Sequence, residues 1–315
     1  MLTYLIALIP ALAWGSTGLF STKLGGSAGQ QTLGMTIGAM AFGFLTFIAF
    51  VIPQGINVSS HIWIAGLLSG LLWAVGQAGQ FTAIKAMGVS NAIPWSTAGQ
   101  IVGNAALAAT ILGEWSTARM WIFGVISIFL VVLGAILTAK RDKAIKTGDE
   151  QMQMETTRGL IAVLISTIGY SGYYIVPNYM RKIGYISHLI ADKNNGVDYM
   201  TATIFPQSIG MVIGAIIIVT LFMRESKTMF QAPTWRNMLT GAVWGVGNLA
   251  MFISAANPNM GQAIAVTMSQ MGIIVGTFGG IYILHERKTK KQMGFIVVGS
   301  IMIVIGGILI SNLPK

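Results

Sequence analysis

Ser69-Gly70-Leu71-Leu72-Trp73-Ala74-Val75-Gly76-Gln77-Ala78-Gly79-Gln80 is apolar enough to sit in lipid, yet it carries a tryptophan and two primary amides. Trp73, Gln77 and Gln80 are spaced i, i+4, i+7, so a helix sets all three on one face. Thr240-Gly241-Ala242-Val243-Trp244-Gly245-Val246-Gly247-Asn248-Leu249-Ala250-Met251 repeats the pattern far downstream. Trp244 answers Trp73, and Asn248 answers Gln77. A polar face repeated on two lipid-soluble helices predicts a two-halved membrane protein with a site for an uncharged, hydroxyl-rich ligand.

Composition supports the bilayer. Hydrophobic residues make up 54% of the 315, and charged residues only 9%. A soluble domain carries about a quarter charged residues, so this chain has too few to cover a surface facing water. The net charge of +10 does not argue for nucleic acid, because the Lys and Arg residues cluster between apolar runs, where they set orientation. The chain has no cysteine, which excludes disulfides and thiolate chemistry. His61, His188 and His285 show no metal-ligand spacing. No metal, cofactor or catalytic residue is expected. The first apolar run lacks a basic leader and reads as a retained helix.

A span needs about 20 apolar residues. Ten stretches come close: residues 2–22, 31–52, 61–84, 88–111, 119–138, 159–180, 199–222, 235–256, 260–283 and 291–312. The expected fold is an all-α integral membrane protein, with ten transmembrane helices as two five-helix inverted repeats. The first repeat covers 1–139, a charged connecting loop covers 140–158, and the second repeat covers 159–315. Gly34-Met35-Thr36-Ile37-Gly38-Ala39 matches Gly210-Met211-Val212-Ile213-Gly214-Ala215, Ile101-Val102-Gly103 matches Ile274-Val275-Gly276, and Leu112-Gly113-Glu114 matches Leu284-His285-Glu286. An odd number of spans per half inverts the second copy, an architecture of alternating-access carriers. Glycines four apart, such as Gly66 and Gly70 or Gly210 and Gly214, let helix backbones approach closely in lipid. The distribution of Lys and Arg favours both termini outside.

The polar inventory inside the spans is amides, hydroxyls and aromatics, with almost no charge. Asn91, Ser96, Thr97, Gln100 and Asn104 lie in the fourth span, Thr267, Ser269 and Gln270 in the ninth, and Tyr170, Ser171, Tyr173, Tyr174 and Asn178 in the sixth. Amides donate and accept without a charge to desolvate, which suits sugar hydroxyls, and an aromatic ring packs on a sugar's C–H face. Candidate substrate-binding residues are therefore Trp73, Gln77, Gln80, Asn91, Gln100, Trp244, Asn248, Ser269 and Gln270. The plainer alternative is that such residues only join neighbouring helices, for about 0.6–2 kcal/mol each. Every Asp and Glu falls at a span end or in a connection. Glu114 and Glu286 are the candidates for proton coupling, against the reading that they simply lie at the lipid–water boundary.

These residues carry a family resemblance. Pro10-Ala11-Leu12-Ala13-Trp14-Gly15-Ser16, Gly70 to Ala78, Gly88-Val89-Ser90-Asn91, Gly113-Glu114-Trp115-Ser116, Trp244-Gly245-Val246-Gly247-Asn248-Leu249 and Leu284-His285-Glu286-Arg287 resemble the bacterial glucose/ribose uptake porters of the drug/metabolite transporter superfamily. The resemblance implies ten helices in two inverted halves, the cytoplasmic membrane, and monosaccharide uptake, usually described as proton-coupled. Facilitated diffusion stays open, because no carboxylate sits at mid-span. Similar chains often read Leu-Gly-Glu-Arg where this one has His285, and residues 181–198 form a longer connection than their counterpart, 23–30. The expected partners are a monosaccharide (glucose before ribose), a proton and membrane lipid, with no nucleic acid; the sequence leaves the oligomeric state open. The rival readings are an exporter of amphipathic metabolites or drugs, an intramembrane enzyme acting on lipid-linked sugars, and a sugar sensor. The first lacks a pocket carboxylate for a cationic substrate, the second lacks an acidic pair or metal site, and the third lacks an output domain.

Overall fold

The structure is a computed structural model that describes residues 2–138, 140, 149–256, 268–269 and 271–313. The long helices among these residues are α1 (Leu2–Leu24), α2 (Ala28–Thr46), α3 (Ser60–Met87), α4 (Val89–Leu107), α5 (Ala118–Thr138), α6 (Asp149–Lys182), α7 (Val197–Ile217), α8 (Met238–Ala256), α9 (Gly272–Tyr282) and α10 (Lys290–Ser311). A π-helical turn extends α2, α4 and α7 at Phe47–Val51, Ala108–Leu112 and Ile218–Phe222. Seven helical segments among the described residues are long and apolar enough to cross a membrane, and α4, α8 and α9 are not in that set. In α4 the mid-helix amides and hydroxyls lower the hydropathy. The described part of α9 is 11 residues long.

Local chemistry sets the boundaries. Ser27 opens α2 with a capping box to Gln30, and Thr289 opens α10 with one to Gln292. Gly88, at φ +79°, turns the chain from α3 into α4, a conformation that costs glycine no Cβ clash. Helix α6 begins at Asp149, well inside the stretch expected to be a connecting loop. Glu, Gln and Met are good helix formers, so a charged stretch of this composition can propagate a helix. The expected span at 235–256 is broken: Ala232–Arg236 forms one short helix and α8 follows.

Helix α3 packs between α6 and α7, and α8 packs between α1 and α2. Helix α2 also meets α7, α4 meets α6 and α9, α1 meets α9, and α5 pairs with α10. The glycine pairs read from the sequence lie at these crossings. A methyl on Gly66 would sit 2.7 Å from Pro206 Cβ of α7, and one on Gly214 would sit 2.8 Å from Ala74 Cβ of α3. With lipid outside, such close packing replaces the hydrophobic drive available in water. The outer flanks of α5, α6 and α10 expose Ile122, Val125, Phe129, Leu164, Ile168 and Ile301. The buried polar side chains include Gln31, Ser69, Gln77, Ser96, Gln207 and Asn248. Polar inside and apolar outside is the arrangement that a low-dielectric surround requires.

Candidate functional site

The repeated tryptophans meet at the centre of the bundle. Trp73 and Trp244 have ring centroids 5.0 Å apart with planes at 60°, within the range of favourable edge-to-face pairs. They are 1% and 7% exposed. Tyr170 of α6 stands edge-on to Trp73, at 6.1 Å and 75°. Trp14 of α1 donates from its indole nitrogen to the Trp244 carbonyl at 3.3 Å. The two indoles expected to clamp a ring thus pack on each other in this structure.

Beside them runs a chain of amides. The Tyr170 hydroxyl donates to Gln77 Oε1 at 2.6 Å and lies 3.1 Å from Gln80 Oε1. Gln77 Nε2 donates to Gln80 Oε1 at 3.3 Å, and Gln80 Nε2 donates to Ser96 Oγ at 2.8 Å. Gln100 Nε2 reaches the same Ser96 Oγ at 3.2 Å. Helices α3, α4 and α6 are thereby joined through five side chains of the sequence-derived polar inventory, Gln77, Gln80, Ser96, Gln100 and Tyr170. Asn248 is 3% exposed, and its Nδ2 has no hydrogen-bond partner among the described residues. A buried amide donor left unpaired costs about 1–3 kcal/mol.

The remaining candidates separate. Asn91 lies in the first turn of α4, where its Nδ2 donates to the Met87 carbonyl at 2.8 Å and its Oδ1 accepts from Lys288 Nζ at 2.9 Å. Ser269 is buried. Gln270 and Thr267 lie outside the described residues. Gln207 and Ser69 form a structural joint: Gln207 Nε2 donates to Ser69 Oγ at 2.8 Å, and Ser69 donates to the Tyr173 carbonyl at 3.0 Å. Among the described residues no three His, Asp or Glu side chains gather as a metal would require. A cavity of about 410 Å³ opens elsewhere, at the start of α3, lined by Ser59, His61, Tyr185, Ile186, Ser187 and Ile190.

The two acidic candidates have different surroundings. The Glu286 carboxylate accepts from the backbone N–H of Val89 at 2.6 Å and of Ser90 at 3.1 Å, and from the Ser90 hydroxyl. It caps the N-terminus of α4 from across the chain, where unpaired N–H groups and the helix dipole favour an anion. Glu225 likewise accepts from Ser27 Oγ at the start of α2. Glu114 is exposed in the connection after α4. Neighbouring chain still removes enough water to raise its carboxyl pKa above the ordinary value.

Sequence reasoning assembled the face that holds Trp73, Gln77 and Gln80. The role of Tyr170 needs a contact across 93 residues, and no local spacing announces it. The pairing of Glu286 with Ser90 spans 196 residues. Its local trace is Gly88, which stands just before the start of α4.

Known proteins match this chain from end to end. A family model described as "Sugar transport protein" covers residues 5–313. A "Putative sugar uptake protein" of Lactiplantibacillus plantarum is 42% identical over 308 residues, 98% of each chain. The "Glucose uptake protein GlcU" of Bacillus subtilis is 37% identical over 306 residues, 97% of this chain and 96% of that one. A crystal structure, described simply as that of a protein, aligns at a TM-score of 0.56 and 14% identity over 98% of this chain and 95% of its own, a likeness of fold. With its apolar flanks, buried amides and full-length match, this chain belongs to the sugar transport protein family and is a multi-pass protein of the cell membrane.

Proposed function

We propose that this protein imports a monosaccharide, glucose before ribose, by alternating access between two five-helix halves of opposite orientation. The packing supports such halves. Exchanging each helix for the one five places along turns α3–α6 into α8–α1, α3–α7 into α8–α2 and α4–α6 into α9–α1. It returns α2–α7, α4–α9 and α5–α10 to themselves. Inverted halves of this kind carry a substrate between them near the midplane, which implies ten crossings. The observation that carries the reading is the meeting of Trp73 and Trp244, one from each half, beside Gln77 and Asn248. Indole faces and neutral amides bind a hydroxyl-rich, uncharged ring. The relative named a glucose uptake protein favours glucose.

Uptake is coupled to a proton in this proposal, and Glu114 is its carrier. Its carboxyl has raised proton affinity and lies in a connection, while Glu286 is held as a helix cap. A raised pKa keeps part of the carboxyl protonated at a higher pH than an ordinary glutamate, so the proton is lost as the pH rises through that value.

The test is counterflow of labelled glucose and ribose in proteoliposomes, with and without an inward proton gradient. Glucose should exchange, the gradient should drive accumulation, and Glu114→Gln should keep exchange but lose accumulation. Unchanged uptake in both Gln77→Ala and Asn248→Ala would refute the site.

A further inference from the structure

We infer that Glu286 is the latch of a gate between α4 and α9, and that its release from the start of α4 opens one end of the sugar path. The latch rests on the alternating access proposed above and names the residue that holds one end shut. Exchanging the two halves returns the α4–α9 pair to itself, and each of its helices closes with the same turn. Gly113 takes φ +73° and His285 takes φ +57°. The next backbone N–H reaches back six residues, from Glu114 to Ala108 O at 3.0 Å and from Glu286 to Gly280 O at 3.2 Å. Leu112-Gly113-Glu114 and Leu284-His285-Glu286 thus set equivalent carboxylates at opposite ends of one pair.

The two ends differ in state. Glu286 is bonded across the pair: its carboxylate accepts from Val89 N–H at 2.6 Å, from Ser90 N–H at 3.1 Å and from the Ser90 hydroxyl. Lys288 Nζ adds a second tie to Asn91 Oδ1 at 2.9 Å. The helices also close in here. A methyl on Gly280 would lie 2.8 Å from Ser90 N, and one on Gly276 would lie 2.8 Å from Ile93 Cγ2. Glu114, at the other end, is exposed. Toward that end α4 lies on α6 instead, where methyls on Gly99 and Gly103 would run into the Thr167 and Ser171 hydroxyls. One pair, joined at one end and free at the other, is what rocking between inverted halves requires of a single state.

A carboxylate suits this task. It closes on N–H groups that have no partner inside their own helix, and at the end of the bundle water can receive both sides when the joint opens. The latch reaches the site through α4. Ser90 is six residues, about 9 Å along the helix, from Ser96, which accepts from Gln80 and Gln100. Rocking α4 off α9 therefore shifts the hydroxyl that holds the amide chain.

The chain has no cysteine, so one introduced thiol reports alone. Ile93 is 4% exposed and packs on Gly276. With Ile93→Cys as the reporter, a charged maleimide should label about tenfold faster once Glu286→Gln or Ser90→Ala is added, the factor expected for one lost charge-assisted contact. Thr289→Ala removes the cap of α10 at the same end, and labelling should not change even where the melting temperature falls equally. Unchanged labelling in both latch variants, or the same gain with Thr289→Ala, would overturn the gate. A reversible bridge reads the same step in transport. Ser90→Cys with Glu286→Cys, joined by a short bis-methanethiosulfonate, should lose glucose counterflow relative to its own unbridged rate, keep glucose binding, and recover on reduction. A joint that never opens would tolerate the bridge, so counterflow that continues in fully bridged protein would refute the inference. If that pair is inactive before bridging, the labelling comparison decides alone. Absence of glucose counterflow in the unaltered protein would instead overturn the monosaccharide reading, while labelling still reports the gate.

Discussion

Helices α5 and α10 pair at the edge of the bundle, and α3 and α8 lie at its centre. The difference between these regions shows how a protein in lipid divides its tasks. In the outer pair Gly134 faces Gly299, and a methyl on Gly134 would lie 2.6 Å from the Gly299 carbonyl oxygen. Ser127 and Thr138 return their hydroxyls to their own helix, to Phe123 O at 2.6 Å and Ala135 O at 2.7 Å. The joint is one of shape. At the centre, Ser69 bridges α3 to both α6 and α7, and Gln77 binds Tyr170. There shape is joined by polar matching. The outer pair needs only to fit, whereas the central one must also keep every buried amide oriented.

The largest effect that probes this contrast is loss of an aromatic ring from each region. Trp73→Ala opens a cavity against Trp244 and Tyr170. In lipid the transfer contribution fades, because the unfolded ring also has an apolar surround, but the lost contacts remain. The cost should fall at the lower end of about 3–5 kcal/mol. Phe129→Ala, on the lipid flank of α5 at 67% exposure, should change stability by less than about 0.5 kcal/mol. Thermal melts of the two variants in one detergent check the pair, and equal shifts would erase the distinction.

Next comes a test that both regions should answer alike. Gly66→Ala drives a methyl into Pro206 Cβ, and Gly134→Ala drives one into the Gly299 backbone. Neither neighbour is the tip of a flexible side chain, so each should destabilise by about 1–3 kcal/mol. If only the central variant suffers, the edge joint is looser than its geometry indicates.

A smaller effect belongs to the end of the bundle. Glu286→Gln keeps one carbonyl oxygen for Val89 N–H but loses the charge that favours a helix N-terminus. The expected loss is about 1 kcal/mol, read as a lowered melting temperature. Glu286→Asp should also lose stability, because the shorter side chain withdraws from Ser90.

What the sequence revealed depends on the distance over which each feature is written. The Trp73–Gln77–Gln80 face and the glycine pairs are helical spacings, visible within a dozen residues. The apolar runs announced the membrane for the same reason. Long-range partners were not visible: Tyr170 was one hydroxyl among several in α6, and nothing nearby distinguished it until α3 lay against that helix. Asn91 and Gln100 are both amides of α4, which in the sequence suggests one group. They are nine residues apart, and the cap at Gly88 holds Asn91 at the helix end against Lys288. The start of α6 lies in a charged stretch that suggests a loop, yet Glu and Gln are good helix formers and the helix begins at Asp149.

The smallest effect separates glycines by what they touch. Gly294 and Gly299 belong to the same helix, α10, and sequence alone treats them alike. A methyl on Gly299 would lie 2.7 Å from Thr138 Cγ2 of α5, whereas one on Gly294 meets nothing within 4 Å. Gly294 is also exposed, so Gly294→Ala adds helix propensity without a clash and should stabilise by about 0.5–1 kcal/mol. Gly299→Ala should destabilise despite the same gain in propensity, because the Thr138 side chain and the Gly134 backbone must move. Opposite signs for one substitution, five residues apart on one helix, would show that close approach selects glycine at the edge joint. Matching signs in the two melts would mean that backbone propensity, and not packing, governs α10.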